Sequence, residues 1–252
     1  MQGKTHKQGG MLISILGYAY LKQKGLLLPD MNEALQWLIM YPFCMWGSVA
    51  SDLDHHWDSC PEKDYPSWIV NKALHITAPI QKTLDKTLSE SDKKTNLVYK
   101  IADTFNAKHR SWQTHSDLTL WVLFYIMNLV LHNSSLSLGA IDVTVLRLVI
   151  TGLAFGIIAH FILDMLTPEG IWIMPLVWLN KFLQLFNTGI KIPRKIHLVP
   201  YTKNKFFATG NGWEQLVRKL LKVATFLALL WFLYTQLIPY LPYELDFSQL
   251  QF

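Results

Sequence analysis

The sequence predicts an all-α fold: a polytopic membrane helical bundle of about four or five membrane helices carrying an amphipathic helical insert. Three observations predict it. Hydrophobic residues fill 51% of the 252 positions and charged residues only 16%, against about 25% charge in ordinary soluble domains. Mean hydropathy is positive, at +0.19. Residues 143–166 run for 24 positions with one Arg, one His and one Asp, and about 20 apolar residues cross a bilayer core.

The elements follow in chain order. A first helix is expected over about 11–28, ended by Pro29, and a second over about 32–50. As spans these two are short or interrupted, the first by Lys22 and Lys24. Residues 51–116 form a polar stretch of balanced charge, with short amphipathic helices expected near 67–88 and 92–107. A third apolar helix is expected from about 117 to 134. The fourth, about 143–166, is stopped by "TPEG", where Pro168 and Gly170 break it. Residues 167–215 are basic, with "KIPRKIH" and "TGNG" as loop signals and an apolar run at 171–187 around Lys181. A fifth helix, about 213–241, ends at Pro239 and Pro242. No internal repeat, low-complexity tract or Gly/Ser linker divides the chain, which reads as one domain over 1–252. Cys44 and Cys60 make no CxxC and imply no disulfide framework. No small-x-small cleavage pattern follows "LISILGYAYLK", so the first apolar run is expected to be retained.

If all five helices cross, residues 1–10, 51–116 and 167–215 lie on one side. Of 23 Lys and Arg, all but Lys22, Lys24 and Arg147 fall on or beside it. Cytoplasmic loops carry the Lys/Arg excess, so this side is expected to be cytoplasmic, in a multi-pass protein of the cell (inner) membrane. The same bias accounts for the net charge of +5. Basic charge also suits nucleic acid, but here it is spread over loops without a binding module, and no nucleic-acid partner is expected.

The histidines converge on that side. "SDLDHH" follows the second helix and offers Asp52, Asp54, His55 and His56. "KHRSWQTHS" precedes the third and offers His109 and His115 with Arg110 between them. "HFILD" closes the fourth helix, and the i, i+4 spacing of His160 and Asp164 stacks imidazole and carboxylate on one helix face. His6 precedes the first helix. Ionisable groups inside a membrane helix are expensive and usually face a cavity, a partner or an ion. Acids after a helix C-terminus gain nothing from its dipole, which argues for a positive partner. The blander reading of each piece is a solvated helix end, two loop histidines, or a His–Asp pair that only supports packing. His75, His132 and His197 have no nearby sequence partner and read as structural or surface, although His197 could approach the others. A set rich in oxygen and nitrogen, without Cys, exceeds one closed structural site. It points to two or three divalent ions, zinc first and manganese or iron next, and to metal-assisted hydrolysis. Arg110 is a ready fork for phosphate.

At these residues the chain resembles the YdjM-like membrane-bound metal-dependent hydrolases. Their pattern runs as an early His with Gly nearby, then "PDxDH", "HRxxTHS" and "HxxxDxxTxxG" followed by Pro. Here these read "THKQGG", "SDLDHH", "HRSWQTHS" and "HFILDMLTPEGIWIMPL". Ser51 stands where the family usually has Pro, and Ser111 where it has Gly, with one residue more between His109 and His115. "IPRKIHLVP" and "TGNGWEQLVRKLL" also look like the family's tail. The order of His and Asp is similar, more distantly, to zinc-dependent phospholipase C and the P1-type nucleases. The resemblance implies a metal-dependent hydrolase whose ligands are His6, Asp52, Asp54, His55, His109, His115, His160 and Asp164. His56 is extra to the pattern.

The expected function is therefore hydrolysis of a phosphoester by metal-activated water, on a small-molecule or lipid substrate, with membrane lipid as the surrounding partner. Arg110, with Arg194 or Lys195, would neutralise phosphate charge. Glu214 or Glu169 would orient water or a ligand histidine. The alternative is a non-catalytic metal-binding membrane protein acting through a protein partner. An ion transporter would place its ligands near the bilayer midplane, whereas these sit at helix ends.

Overall fold

Helix dominates because apolar runs and good caps follow one another along the chain. The computed structural model describes residues 3–54, 65–106, 114–132, 143–168, 170–185, 190–198 and 211–237. Among them are five long helices: α1 (Gly3–Gln23), α2 (Glu33–Ala50), α7 (Asp117–His132), α8 (Val143–Met165) and α10 (Gly212–Leu237). Four short helices form the insert: α3 (Tyr65–Leu74), α4 (Ala78–Thr87), α5 (Glu90–Thr95) and α6 (Leu97–Phe105). A ribbon of β1 (Ile171–Trp172) and β2 (Lys195–Ile196) flanks α9 (Met174–Leu185). The all-α expectation holds, with this small ribbon as its exception.

Three boundaries differ from expectation for physical reasons. α1 starts at Gly3, eight residues before the apolar run, because its first two turns face other helices rather than lipid and carry polar side chains. The insert is four helices and not two, because each break is capped. Pro79 opens α4, Ser89 accepts from the Asp92 amide to start α5, and Asn96 accepts from the Tyr99 amide to start α6. The stretch expected as loop after α8 pairs β1 with β2 antiparallel, Ile171 opposite Ile196 and Trp172 opposite Lys195. Gly170 makes this turn possible: its φ is +59°, and a Cβ there would strike the Ile196 carbonyl.

The bundle is organised around α8, which lies against α1, α2 and α7. A small-residue seam brings α2 and α8 together. Gly152 and Gly156, spaced as GxxxG, meet the backbone of Met40 and Cys44, and a Cβ on Gly47 would come 2.6 Å from the Leu153 carbonyl. Without side chains between them, backbones approach closely, the usual device of helices packed in a membrane. Matching positions rise together along both helices, so α2 and α8 run parallel. α1 runs against α2, since Gly10 meets Ser48 near one end and Tyr18 reaches Glu33 near the other. α2 begins at Asn32, whose side chain accepts from the amides of Ala34 and Leu35.

α8 is the one described helix both long and apolar enough to cross a membrane, at 23 residues. α7 and α10 turn large apolar side chains outward, among them Trp121 and Tyr125, and Leu220, Phe226 and Leu227. Large exposed apolar surfaces mark membrane or protein contacts more often than bare solvent.

Candidate metal centre

The close α2–α8 seam sets the geometry of the site. One turn beyond Gly156, the His160 ring reaches α2 and its Nδ1 lies 2.8 Å from the Ser48 carbonyl oxygen. A carbonyl only accepts, so Nδ1 carries a proton, and Nε2 is the nitrogen left to face the cluster. That Nε2 faces inward, 3.1 Å from Asp164 Oδ2 and 3.3 Å from His115 Nε2. Asp164 stands one turn further along α8, and its carbonyl accepts from both the amide and the hydroxyl of Thr167 as the helix ends.

Three other elements close the cluster. α2 tightens into a 3₁₀ turn at Ser51–Asp54, which carries Asp52 toward the histidines and buries Leu53. The Leu53 carbonyl accepts from Asn71 Nδ2 of α3 at 2.6 Å, so the insert holds the turn. His115 precedes α7; its carbonyl accepts from the Trp172 amide of β1 at 2.9 Å, and its Nδ1 lies 2.9 Å from the Thr114 hydroxyl. His6 sits in the first turns of α1, where Gly9 and Gly10 allow close approach to Leu163 and Ser48. Its ring stacks on His160 with centroids 3.9 Å apart. Its Nε2 lies 3.5 Å from Asp164 and 3.8 Å from Asp52.

These five side chains form two groups able to hold an ion, His6–His160–Asp164 and Asp52–His115–His160, with donor atoms in each within 4.8 Å of one another. His6, His115, His160 and Asp164 are 0% exposed and Asp52 is 8% exposed. Neither ring nitrogen of His6 has a hydrogen-bond partner among the described residues. Buried polar atoms are normally bonded, and an imidazole held between two carboxylates is a donor set that suits a cation. The C-terminal ends of α2 and α8 add their negative dipole ends to the two carboxylates. For Asp52, burial pushes the carboxyl up, but the hydrogen bond from His115 and the charges of His160 and His6 outweigh it and hold it well below the usual carboxylate range. The donor set, carboxylate oxygen and imidazole nitrogen without sulfur, suits zinc, manganese or iron. His160 belongs to both groups, so the two share one imidazole donor.

The sequence-predicted residues divide as follows. His6, Asp52, His115, His160 and Asp164 come together. His6 is corrected in place: it lies inside α1, not ahead of the first helix. Asp54 ends the 3₁₀ turn, and its side chain is outside the described residues, as are His55, His56, His109, Arg110 and Glu169. Glu214 is in the first turn of α10, buried, and accepts from the Thr5 hydroxyl at 2.7 Å, so it acts on the turn that bears His6. His75 is structural, with Nδ1 2.7 Å from Asn106 Oδ1. His197 is exposed and lies beside Gly170. Arg194 packs on Asn180, and Lys195 sits over the Trp172 ring at 4.6 Å. Sequence reasoning missed Ser48, Thr5, Thr114, Asn71 and the Trp172 amide. The Ser48 and Trp172 contributions are backbone atoms, which carry no residue signature.

No curated protein and no solved structure gives a significant match to the chain. The profile of the YdjM inner membrane protein family does, over residues 1–239. That span takes in every helix above and all five buried donors, and the chain belongs to the YdjM inner membrane protein family.

Proposed function

We propose that this chain is a multi-pass, membrane-bound metal-dependent hydrolase acting on a phosphoester, lipid or small molecule, at the cytoplasmic face of the inner membrane. The observation that carries the reading is the nest of five buried nitrogen and oxygen donors, in which His160 belongs to both groups and neither His6 ring nitrogen has a hydrogen-bond partner among the described residues. His6, Asp52, His115, His160 and Asp164, together with Asp54, His55 and His109 as assigned from the sequence, would hold zinc, or manganese or iron in its place, as two or three ions. Such ions supply Lewis acidity, lowering the pKa of water and polarising a phosphoryl oxygen. The chain's own part is to fix the ligands. The Ser48 carbonyl sets the His160 tautomer, Thr114 addresses the second nitrogen of His115, and Asn71 pins the turn of Asp52. Arg110 is assigned the phosphate on the strength of its sequence position beside His109.

The multi-pass reading is supported by helix directions: α1 against α2, α2 parallel with α8, and α7 against α8, as alternate crossings require. The Lys/Arg bias supports a cytoplasmic location for the donor end.

The test is purified full-length protein with metal content measured beside a panel of phosphomonoesters and phosphodiesters. Metal-dependent turnover lost in His160→Ala is the expected result. Turnover that survives in a metal-free His160→Ala protein would sink the site. A non-catalytic metal site is the second reading, favoured by the near-complete enclosure of the donors, of which only Asp52 reaches the surface. It predicts one non-exchanging ion and no turnover.

A further inference from the structure

The insert is built with its polarity reversed. Where α4 meets α6, the contacts are polar or small. The Thr77 hydroxyl donates to the Ala102 carbonyl at 2.7 Å, Gln81 donates to Asp103 at 2.8 Å, and Asn106 donates to Gln81. The Tyr99 hydroxyl donates to Asp85 at 3.1 Å. Ala78 and Ala102 are the buried apolar residues of this pair. The large apolar side chains point the other way: Ile76 is 72% exposed, Ile80 50%, Leu97 69%, Val98 56% and Ile101 48%. On α6, residues 97, 98 and 101 occupy the helix side away from 99, 102 and 106. A helix pair standing in water would turn these residues over.

We infer that the outer side of α4 and α6 rests on the lipid bilayer, at the boundary between headgroups and acyl chains. Two further observations select lipid over a protein partner. The surface continues from the membrane bundle: Trp46 of α2 donates to Ser67 of α3 at 2.8 Å, and Asn71 of α3 donates to Leu53 just past α2. The insert is therefore fastened where the bundle meets the membrane surface. Its charge also fits an anionic surface, since residues 65–106 hold six lysines against four acids. Interfacial helices bury their apolar side about 5–10 Å into this boundary and set lysines toward the headgroups. The inference needs only the membrane location of the family and stands apart from any hydrolase activity.

The experiment uses the full chain with Cys44→Ala and Cys60→Ser, in vesicles of phosphatidylethanolamine and phosphatidylglycerol. A nitroxide label is placed singly at Ile80→Cys, Leu97→Cys or Ile101→Cys, with Lys94→Cys as the polar comparison. Labels at 80, 97 and 101 are expected to collide with dissolved oxygen several-fold more, relative to a water-soluble nickel chelate, than the label at 94. Equal collision ratios at all four positions would overturn the inference in favour of a solvent-facing surface. Labels at 80 and 101 that are immobile and shielded from both reagents would overturn it in favour of a protein contact.

Discussion

His160 Nδ1 and the Ser48 carbonyl oxygen stand 2.8 Å apart across the α2–α8 seam, and this single contact ties helix packing to site chemistry. It exists because Gly156, one turn before His160, lies directly against the α2 backbone. Replacing Gly156 by Leu should force the helices apart. Overpacking of this kind costs about 1–3 kcal/mol or more. Both the thermal midpoint in detergent and the bound metal should fall, although no donor has been touched. Unchanged metal content in Gly156→Leu would separate the seam from the site.

The donors themselves give the simplest prediction. Asp164→Asn keeps the shape of a buried side chain that is 0% exposed and removes its charge. Removing one carboxylate leaves three imidazoles with Asp52 alone, so bound metal should drop at least tenfold while helical content is kept. His197→Ala, on an exposed loop, should lose nothing. Equal metal in all three proteins, measured by elemental analysis, would argue against this cluster as the metal centre.

Thr114 tests the layer behind the ligands. Its hydroxyl lies 2.9 Å from His115 Nδ1, and partners that orient a ligand imidazole are worth about 10–100-fold in metal affinity. Thr114→Val should weaken metal binding by that order, read by competition with a coloured chelator, and Thr114→Ser should restore it.

Much of this was legible in the sequence because the signals are local. The i, i+4 spacing of His160 and Asp164 places both on one helix face whatever the surroundings, and apolar length located α8 to within a residue at each end. What was not legible depends on contacts far apart in the chain. α1 was expected to start eight residues later because hydropathy registers apolar side chains, whereas His6 faces Asp164 across more than 150 residues of sequence. The ribbon pairing Trp172 with Lys195 has two residues per strand, too few for an alternating pattern. The GxxxG seam was in plain view as "GLAFG", but its meaning lies in the α2 backbone opposite. Reading 67–88 and 92–107 as amphipathic was right in kind; the apolar faces, however, point outward.

Acidification should empty the site through its imidazoles. A histidine ligates only when neutral, so protons compete with the metal for each imidazole donor. Asp52 is held below the usual carboxylate range, so it stays ionised as the pH falls through the ordinary carboxylate range. Its own stabilising contribution is present above about pH 4 and fades only as the pH falls toward its depressed value. Metal release, followed with an indicator dye, should therefore begin above about pH 4, while Asp52 is still ionised. Release confined to pH below 4 would assign the titration to carboxylates instead.

Glu214 separates positioning from chemistry. Its carboxylate accepts from Thr5 at 2.7 Å, both side chains are buried, and Thr5 is the neighbour of His6 on α1. If Glu214 holds the His6 turn, any acceptor of the same shape should serve. Glu214→Gln then keeps stability, metal and turnover, whereas Glu214→Leu strands the Thr5 hydroxyl at a cost of about 1–3 kcal/mol and loosens His6. Thr5→Val in the Glu214→Leu background should recover part of that loss, because two matched apolar groups leave no donor unsatisfied. The opposite pattern, with metal intact in Glu214→Gln but turnover abolished, would make Glu214 a proton-transfer group. Melting curves, metal content and phosphoesterase rates on the same three proteins decide between the two.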